Sequence, residues 1–314
     1  METIPHHDLL QVTREEMEKI RQLYNLSDVQ RVRESLDLIE DWCKKQDHLI
    51  SALPYLSRRL LESFFILSKG SVEATKIKID KILTMRGMLP EINLNKSFEE
   101  FENFMDSIIY VPLPKLCPED CSRVNVTQIL PGKLDNFNIL SYMRYCFLIG
   151  EYRLFHDYTC SDRFLIDLKN VNISLLTKLN PVVLKKGEIL CTEGFGTKIK
   201  GIHIVNAPSF VDKFVFLIKQ GLREKVASRL HVHNSYEDLY KEIPKECLPK
   251  DYGGELPSCE KLANQWKDCL KSKESTRIID DCNKLVADES KRSQIKFNEE
   301  YLGMPGSFRK LTVD

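Results

Sequence analysis

The sequence lacks the segments that would export the chain or anchor it through a bilayer. Its first residues, METIPHHDLLQVTREEMEKI, have no positively charged flank followed by an apolar core, which a secretory signal peptide requires. No run reaches the roughly 18 apolar residues of a membrane-spanning helix. The most apolar run, residues 210–222, is interrupted by Asp212, Lys213 and Lys219. We therefore predict a cytoplasmic protein.

An excess of charge of either sign is also absent. The 314 residues include 46 Lys and Arg and 46 Asp and Glu, so the formal net charge is zero. The whole-chain charge gives no indication of a nucleic-acid partner, and none is predicted. An anionic partner would have to be bound by a local cluster of cations. The ten cysteines are spread over a long chain, which favours free thiols over a disulfide framework.

Motifs for catalysis and cofactor binding are missing as well. There is no Gly-rich phosphate loop followed by Lys and Ser or Thr, no G-x-G-x-x-G, no G-x-S-x-G and no H-E-x-x-H. Cys117 and Cys121 have a spacing found in metal sites, but no second Cys or His pair follows at a suitable distance. His203, His231 and His233 fall on predicted strands, where packed or exposed histidines are the simpler interpretation. We predict no catalytic residue, no metal and no cofactor.

The chain begins with a predicted helical module over residues 1–95, with its core at about 28–90. Apolar residues recur there at helical spacing, and Gly or Pro separates the segments. In one of these helices we expect Ile77, Ile82 and Met85 to point inward. Residues that can begin helices by accepting backbone N–H bonds are Thr13 together with Glu16, Asp28, and Ser71.

From about Pro112 onward, short β-branched apolar runs alternate with helix-length segments. The runs are RVNVTQIL, RFLIDL, KGIHIV and SRLHVH, and the helices between them are predicted at 139–154, 174–190 and 209–225. Such alternation predicts an α/β fold with a mostly parallel sheet that helices cover. We assign residues 96–257 to this domain, and 258–314 to a C-terminal helix, ending near residue 273, and a polar tail.

The helix after Asn206 is unusually apolar. Its apolar positions recur every three and four residues, at Val211, Phe214, Val215, Ile218, Leu222 and Val226. Phe210, Phe216 and Leu217 widen this face beyond the stripe that a surface helix normally has. Two interpretations follow from the pattern: a helix packed deep in the core, or a lid over a cavity that holds a lipid.

Cations are concentrated around the same helix. Residues 185–229 contain nine Lys or Arg and only four Asp or Glu, within a chain that is neutral overall. A local positive surface attracts phosphates, and each Lys or Arg near an anionic lipid surface contributes about 1 kcal/mol. The alternative is a solvated basic edge with no ligand.

One long segment carries a family resemblance. KIKGIHIVNAPSFVDKFVFLIKQGLREKVASRLHVHNSYEDLYKEIPKECLPKDYGGELPS resembles the heart of a CRAL-TRIO lipid-binding domain, in the branch with α-tocopherol transfer protein, cellular retinaldehyde-binding protein, the clavesins and insect relatives. The specific parts are the basic–Gly–Ile–His strand, Asn-x-Pro, the apolar helix and Leu-Pro-x-x-Tyr-Gly-Gly. Upstream, LLESFFILSKGSVEATKIKIDKILTMRGMLPEI resembles the family's helical module. The resemblance covers roughly residues 28–258.

The resemblance implies a lipid pocket on the parallel sheet, closed by a gate helix at 208–221, and a binding and transfer role without catalysis. A phosphoinositide-binding cluster carries over onto Lys198, Lys200, Lys225 and Arg229. The pocket positions that carry over are Ile166, Leu190, Phe195, Ile199, Ile202, Phe210, Phe214 and Leu217.

The chain departs from the family at two places. Lys169 and Asn170 stand where an acidic residue and Gly usually follow a strand, and the Gly-Arg-Pro stretch before the first strand is absent. These departures bear on which ligand is bound. The expected ligand is a small isoprenoid such as a tocopherol, retinoid, carotenoid or other terpenoid, released by a peripheral, reversible contact with phosphoinositide-containing membranes. The alternatives are a phosphoinositide-binding trafficking sensor or scaffold without cargo, and a lipid enzyme that uses a polar pair such as one containing His203.

Overall fold

The computed structural model describes residues 6–292, and the tail beyond them lies outside the described residues. Helices and turns make up the chain before the first strand. The helices are α1 (Arg14–Leu23), α2 (Val29–Lys44), α3 (Arg58–Leu67), α4 (Val72–Met88), α5 (Pro90–Asn93) and α6 (Phe98–Met105).

Side-chain caps explain where several of these helices begin. Thr13 Oγ1 accepts a hydrogen bond from the backbone N–H of Glu16 at 3.1 Å. Glu16 Oε2 accepts one from the backbone N–H of Thr13 at 2.7 Å, so the predicted capping box is confirmed. Asp28 caps α2 and Ser71 caps α4, also as predicted.

The buried face of α4 differs in part from the predicted one. Ile82 is buried as expected, but Ile77 is 63% exposed, so that prediction was wrong. Ile79 is the residue buried on this turn. Two positions along a helix correspond to roughly 200° of rotation, which puts Ile77 on the side opposite Ile79.

A five-stranded sheet forms the centre of the molecule. Its strands are β1 (Ile108–Leu116), β2 (Ser122–Ile129), β3 (Ser161–Asp167), β4 (Ile199–Val205) and β5 (Leu230–Val232), and they lie side by side in that order. β1 pairs antiparallel with β2, and the other three pairs are parallel. The predicted α/β class with a mostly parallel sheet is therefore confirmed.

Helices connect the parallel strands and continue after them. They are α7 (Ile139–His156), α8 (Leu175–Lys178), α9 (Pro181–Ile189), α10 (Val211–Gln220), α11 (Glu224–Ala227), α12 (Tyr236–Tyr240), α13 (Cys259–Leu270) and α14 (Lys273–Asn283). A π-helical turn, Leu190–Gly194, follows α9.

Two predicted helices are divided in the structure. The helix expected at 174–190 breaks before Pro181, because proline suits only the first turn of a helix, and Asn180 caps the new start. The helix expected at 209–225 becomes α10 and α11, since Arg223 has an extended backbone. The N-cap residue of α10 is Phe210, which makes no capping side-chain bond.

β1 was not predicted as a strand. It contains Pro112 and Pro114, and the β1–β2 register shifts after Pro112. Proline lacks the N–H that a central strand donates, so it is tolerated mainly on edge strands, which is where β1 lies. The indole N–H of Trp266 on α13 donates to the carbonyl of Pro112 at 3.2 Å, so α13 helps to cover this edge.

A buried ion-pair network joins the N-terminal helices to α7. Lys96 Nζ lies 2.9 Å from Glu151 Oε1, and Arg86 donates to the same oxygen. Burial acts against the charged carboxylate, yet Arg86 and Lys96 hold the pKa of Glu151 below its ordinary value. Arg86 also donates to the carbonyls of Leu285 and Cys282, which ties the C-terminal segment to α4. These contacts therefore hold α7 against the N-terminal helices and the C-terminal segment.

Candidate functional site

An apolar cavity of about 280 Å³ lies between the sheet, α7 and the helices α8 to α10. Strands β1 to β4 supply one wall, and α7 supplies another along most of its length. Most side chains on these walls are aliphatic or aromatic, among them Ile129, Phe147, Phe164, Leu184 and Ile218.

Five of the eight predicted pocket residues line this cavity: Ile166, Phe195, Ile199, Ile202 and Phe214. Their spacing on β4 breaks the usual alternation, because Ile199 and Ile202 are three residues apart. The register shifts between them, with Ile199 opposite Asp162 and Gly201 opposite Arg163. Lys200 is thus the extra residue of a β-bulge, which brings both isoleucines to the same face.

The other three predicted pocket residues, Leu190, Phe210 and Leu217, do not line the cavity. Leu190 is fully buried in the π-helical turn, close to Gly194 and the side of α4. Phe210 precedes α10 and is half-buried there. Leu217 lies beside the cavity-facing stripe of α10, which consists of Phe214 and Ile218.

The wall supplied by α7 was missed at the sequence level. Its cavity residues recur every three or four positions, which is the signal that could have identified them. They are Ile139, Tyr142, Met143, Cys146, Phe147, Gly150, Arg153 and Leu154.

The predicted gate helix corresponds to α10. Phe214 and Ile218 face the cavity and are buried, whereas Phe216 on the outer side is 63% exposed. The helix is therefore apolar on two sides, one buried and one exposed. Gly221, just after α10, packs so closely on α9 that a Cβ there would lie 2.5 Å from Leu184 Cβ.

Ion pairs hold the chain just after α10. Arg223 Nε lies 2.7 Å from Glu188 Oε1, and the same guanidinium also contacts Glu193 and Thr192 in the turn after α9. Lys81 on α4 lies 2.5 Å from the second carboxylate oxygen of Glu193. The hydrogen bond from Lys81, together with Arg223, lowers the pKa of Glu193. These contacts connect the chain just after α10 to the helical module.

A second cavity, which we call the basic groove, lies beside the first and measures about 370 Å³. Lys198, Lys225 and Arg229, three of the four predicted phosphoinositide residues, line it. Arg229 also donates to the carbonyl of Ile199. In the described residues 6–292, none of these three cations has a carboxylate within ion-pair distance. Glu193 also lines the groove, but its carboxylate is paired with Lys81 and Arg223.

Lys200 does not line the groove. Its ammonium lies 3.2 Å from Asp120 Oδ2, next to the β-bulge described above. In a regular extended segment Lys198 and Lys200 would point to the same side, as alternate residues do. The bulge removes that regularity.

Two further cations line the groove: Arg223, which pairs with Glu188 and Glu193, and Lys69, which sequence reasoning missed. Lys69 stands in the turn between α3 and α4, with a left-handed φ of 56°, far from the other cations along the chain. Partial burial and nearby cations lower the pKa of Lys198, and those cations are Lys200, Lys69 and Arg229. Only the packing of the helical module against the sheet brings Lys69 to this position.

The apolar cavity and the basic groove are adjacent. Five residues line both spaces: Ile66, Leu67, Thr159, Thr197 and Ile199. A molecule in the cavity and an anion in the groove would thus be separated by a single layer of side chains.

His203 lies apart from the cavity. Its side chain is fully buried, and its Nδ1 lies 3.0 Å from Nε2 of His233. Burial, followed by the nearby His233 and Arg163, lowers the pKa of His203 to about 3. The histidine that was the weak candidate for a polar pair is therefore absent from the cavity wall.

The fold and the two spaces define an α/β domain with an internal apolar cavity, and comparison with known proteins gives a family match. A family model described as the CRAL/TRIO domain matches residues 103–254. The resemblance to a CRAL-TRIO domain that was found in the sequence is therefore confirmed for these residues.

Several curated proteins are similar to this chain. "Alpha-tocopherol transfer protein-like" of Mus musculus is 27% identical over 292 residues, covering 89% of this chain and 79% of that protein. The Homo sapiens protein of the same name is 26% identical over 295 residues, with 90% and 80% covered. "Clavesin-1" of Rattus norvegicus is 33% identical over 94 residues, covering 30% and 27%.

Among solved structures, "Crystal structure of Sfh5" aligns with a TM-score of 0.45 and 14% identity, covering 80% of this chain and 92% of that one. A likeness at this level carries no argument about function. In the part of the chain that the structure describes, no helix is both long and apolar enough to cross a membrane.

Proposed function

We propose that this protein binds a small hydrophobic ligand, an isoprenoid such as a tocopherol, retinoid, carotenoid or other terpenoid, and transfers it between membranes. Release takes place at phosphoinositide-containing membranes, to which the cytoplasmic protein binds peripherally and reversibly. The apolar cavity is the ligand site, α10 is its gate, and the basic groove binds the lipid head group. The names of its relatives, which include "Alpha-tocopherol transfer protein-like", support a transfer role.

The observation that carries this proposal is the shared wall between cavity and groove. Ile199 contributes to both spaces, and Lys198 beside it faces the groove. An anionic head group in the groove would lie next to the ligand site, so membrane recognition and ligand release would occur at one place. A basic surface far from the cavity would not support such a coupling.

The physical chemistry of the ligand requires a membrane step. Burial of an apolar molecule contributes about 25 cal/mol for each Å² removed from water. Release into water would lose all of that free energy, whereas release into a bilayer retains most of it. The exposed Phe216 on the outer side of α10 gives the gate an apolar surface for the contact with lipid.

A transfer assay tests the proposal. Purified protein is loaded with α-tocopherol, and its delivery is measured to phosphatidylcholine vesicles with and without phosphatidylinositol 4,5-bisphosphate. We expect delivery to be faster to the vesicles that contain the phosphoinositide. Equal rates to both vesicles would contradict release at phosphoinositides, and failure to bind α-tocopherol, retinol, β-carotene or phytol would contradict the ligand class.

One observation favours the alternative of a phosphoinositide sensor or scaffold without cargo. The cavity of about 280 Å³ is slightly smaller than the roughly 300–1,000 Å³ that ligand pockets occupy. Mass spectrometry of lipids that co-purify with the protein distinguishes the two functions. A stoichiometric isoprenoid supports transfer, whereas an empty protein that still binds phosphoinositide vesicles supports the sensor. We propose no catalytic activity, since His203 does not reach the cavity.

A further inference from the structure

Two cysteine side chains from distant parts of the chain meet beside the turn between β1 and β2. Cys117 follows β1 directly, and Cys247 ends the short helical turn Lys245–Cys247, just before the Leu-Pro-x-x-Tyr-Gly-Gly segment. All ten cysteines belong to the described residues 6–292, where they are free thiols. Neither Cys117 nor Cys247 lines the apolar cavity or the basic groove, so the pair lies outside both sites of the proposed function.

The two thiols are in direct contact. Cys247 Sγ lies 3.4 Å from the carbonyl oxygen of Leu116, the residue that precedes Cys117. Covalent geometry places that oxygen within about 3 Å of the Cα atom of Cys117. The thiol groups of Cys117 and Cys247 also share a hydrogen bond. A disulfide between them therefore requires the two sulfur atoms to move from hydrogen-bond distance to about 2.05 Å, without a large movement of the chain.

Cys117 is the more reactive of the two thiols. Its hydrogen bond with Cys247 is the main cause that lowers the pKa of Cys117, and a hydrogen bond with Ser122 and the charge of Arg163 act in the same direction. Together they outweigh burial and the nearby Asp120. The contact with Cys117 raises the pKa of Cys247 well above its ordinary value. Because the thiolate is the form that attacks an oxidant, we expect Cys117 to react first.

The other eight cysteines differ from Cys117 in this respect. Burial raises the pKa of every one of them, so each remains a protonated thiol at neutral pH. Cys117 is therefore the one cysteine in the described part of the chain whose surroundings favour the thiolate.

A second pair of neighbouring cysteines provides the comparison. Cys121 and Cys160 precede Ser122 and Ser161, which lie opposite each other in the β2–β3 register, and the backbone N–H of Cys160 donates to the carbonyl of Cys121 at 3.4 Å. Burial nevertheless raises the pKa of Cys121 to about 11, and the thiol of Cys160 hydrogen-bonds with Tyr24. Proximity along a sheet thus does not by itself produce a reactive pair.

The Cys117–Cys247 pair lies just below the protein surface. Cys117 is 2% exposed and Cys247 is 1% exposed, but the adjacent residues Pro118 and Glu246 are exposed. A local opening of the β1–β2 turn would therefore bring the sulfur atoms into contact with a small oxidant dissolved in water.

We propose that Cys117 and Cys247 form a redox site, in which a peroxide oxidises the two thiols to a disulfide and a dithiol reduces it again. The site is separate from the ligand and head-group sites, so it adds a reversible covalent modification to the proposed transfer function.

The reaction balances with hydrogen peroxide as the two-electron oxidant. The Cys117 thiolate attacks one oxygen of the peroxide, the O–O bond breaks, and the released hydroxide takes up the proton that Cys117 gave up, which forms the first water. Cys117 is then a sulfenic acid. The Cys247 sulfur attacks the sulfenic sulfur, the S–O bond breaks, and the leaving hydroxide takes the Cys247 proton to form the second water.

The disulfide would enclose most of the α/β domain in one covalent loop. The chain between Cys117 and Cys247 contains β2 to β5 and α7 to α12. Closing so long a loop restricts the unfolded chain far more than the folded one. We expect oxidation to raise the Tm by about 5 °C or more, which calorimetry measures on the oxidised protein with and without dithiothreitol.

Peptide mapping of the oxidised full chain tests the proposal. The protein is treated with a small molar excess of hydrogen peroxide, catalase removes the remainder, and free thiols are labelled with N-ethylmaleimide in guanidinium. We expect eight of the ten cysteines to be labelled, and a cross-link between the Cys117 and Cys247 peptides that dithiothreitol removes. Labelling of all ten cysteines would overturn the proposal, as would a cross-link that joins Cys121 to Cys160 in its place.

Two variants assign the roles within the pair. Cys247→Ser leaves Cys117 without a thiol partner, so we expect its sulfenic acid to accumulate and to react with dimedone. Cys121→Ser is the matched control in the same turn and should form the disulfide as the wild type does. Dimedone labelling at another cysteine and not at Cys117 would contradict the assignment of the attacking thiol. The wild-type peptide map stands without either variant, and the vesicle assay tests the transfer function separately.

Discussion

The apolar cavity and the basic groove share five wall residues, yet they are assembled in different ways. The cavity is built from strands and helices of the α/β domain, where alternation and helical periodicity decide which residues face inward. The groove is built from single cations on a turn, a bulged strand and the chain after α10. Regular elements therefore make the apolar cavity, while irregular ones make the basic groove beside it.

This difference has a functional meaning under the proposed mechanism. Side chains on packed strands and helices hold a fixed shape, which suits selection of a ligand. Cations on turns and element ends can adjust to an anion, and Arg223 already joins the two spaces through Glu188 and Glu193. Variants that affect one space and leave the other intact are the direct test.

The largest effect is expected for Phe214→Asp in the cavity. Phe214 is 3% exposed, and a carboxylate at this position would be buried among apolar side chains. Burial of an unpaired charge costs at least about 3 kcal/mol, so we expect retention of phytol to fall roughly 100-fold. Fluorescence displacement measures it, and Phe216→Asp on the exposed side of the same helix is the control. Equal retention by the two variants would remove α10 from the ligand site.

The next effect is expected for charge reversal in the groove. Lys225→Glu combined with Arg229→Glu removes two cations that contribute about 1 kcal/mol each near an anionic surface. Binding to phosphoinositide vesicles should weaken roughly 30-fold or more, with phytol capacity unchanged. Vesicle sedimentation measures binding to the vesicles, and fluorescence displacement measures the phytol capacity.

The matched control for this pair is Lys261→Glu with Lys273→Glu. Both lysines are exposed on α13 and α14, away from the groove, and the change in net charge is the same. If the control weakens vesicle binding as strongly, the attraction comes from overall charge and the groove has no special role.

A smaller effect is expected where the two spaces are linked. Arg223→Gln removes the guanidinium that pairs with the buried Glu188 and with Glu193. A partly exposed ion pair contributes up to about 1 kcal/mol, so we expect phytol to leave the protein roughly fivefold faster. Stopped-flow transfer to acceptor vesicles gives the rate. Lys219→Gln, at an exposed position of α10, is the control and should leave the transfer rate unchanged. An unchanged rate in Arg223→Gln would show that these ion pairs do not restrain α10.

The smallest effect is expected for Lys200→Gln. Lys200 pairs with Asp120 and is not a groove residue, so vesicle binding should change by less than about twofold. Lys69→Gln, measured in the same sedimentation experiment, should weaken binding about fivefold. The reverse order of the two variants would contradict the arrangement of the groove.

Local signals in the sequence predicted much of the fold. Thr13, Asp28 and Ser71 cap their helices because the capping bonds form within a few residues. The β-branched runs became β2 to β5, since their composition favours buried strands. β1 escaped prediction because Pro112 and Pro114 obscure it, and only its position at the sheet edge makes them acceptable.

The candidate site was less predictable than the fold. Five of the eight expected pocket residues line the cavity. Leu190 does not line it, because the π-helical turn directs its side chain toward α4. The face of α7 could have been found from its three-and-four spacing. Tyr110 of β1 also lines the cavity, but it could not have been found from the sequence because β1 itself was not recognised.

The sequence by itself determined several helix starts, the strands β2 to β5 and the apolar faces of α10, because each depends on residues close together in the chain. Only the tertiary structure decided that Lys69 replaces Lys200 in the groove. A one-residue bulge turns Lys200 toward Asp120, and packing of the helical module carries Lys69 to Lys198. The direction of a side chain depends on strand pairing and on contacts between distant segments, which no local pattern encodes.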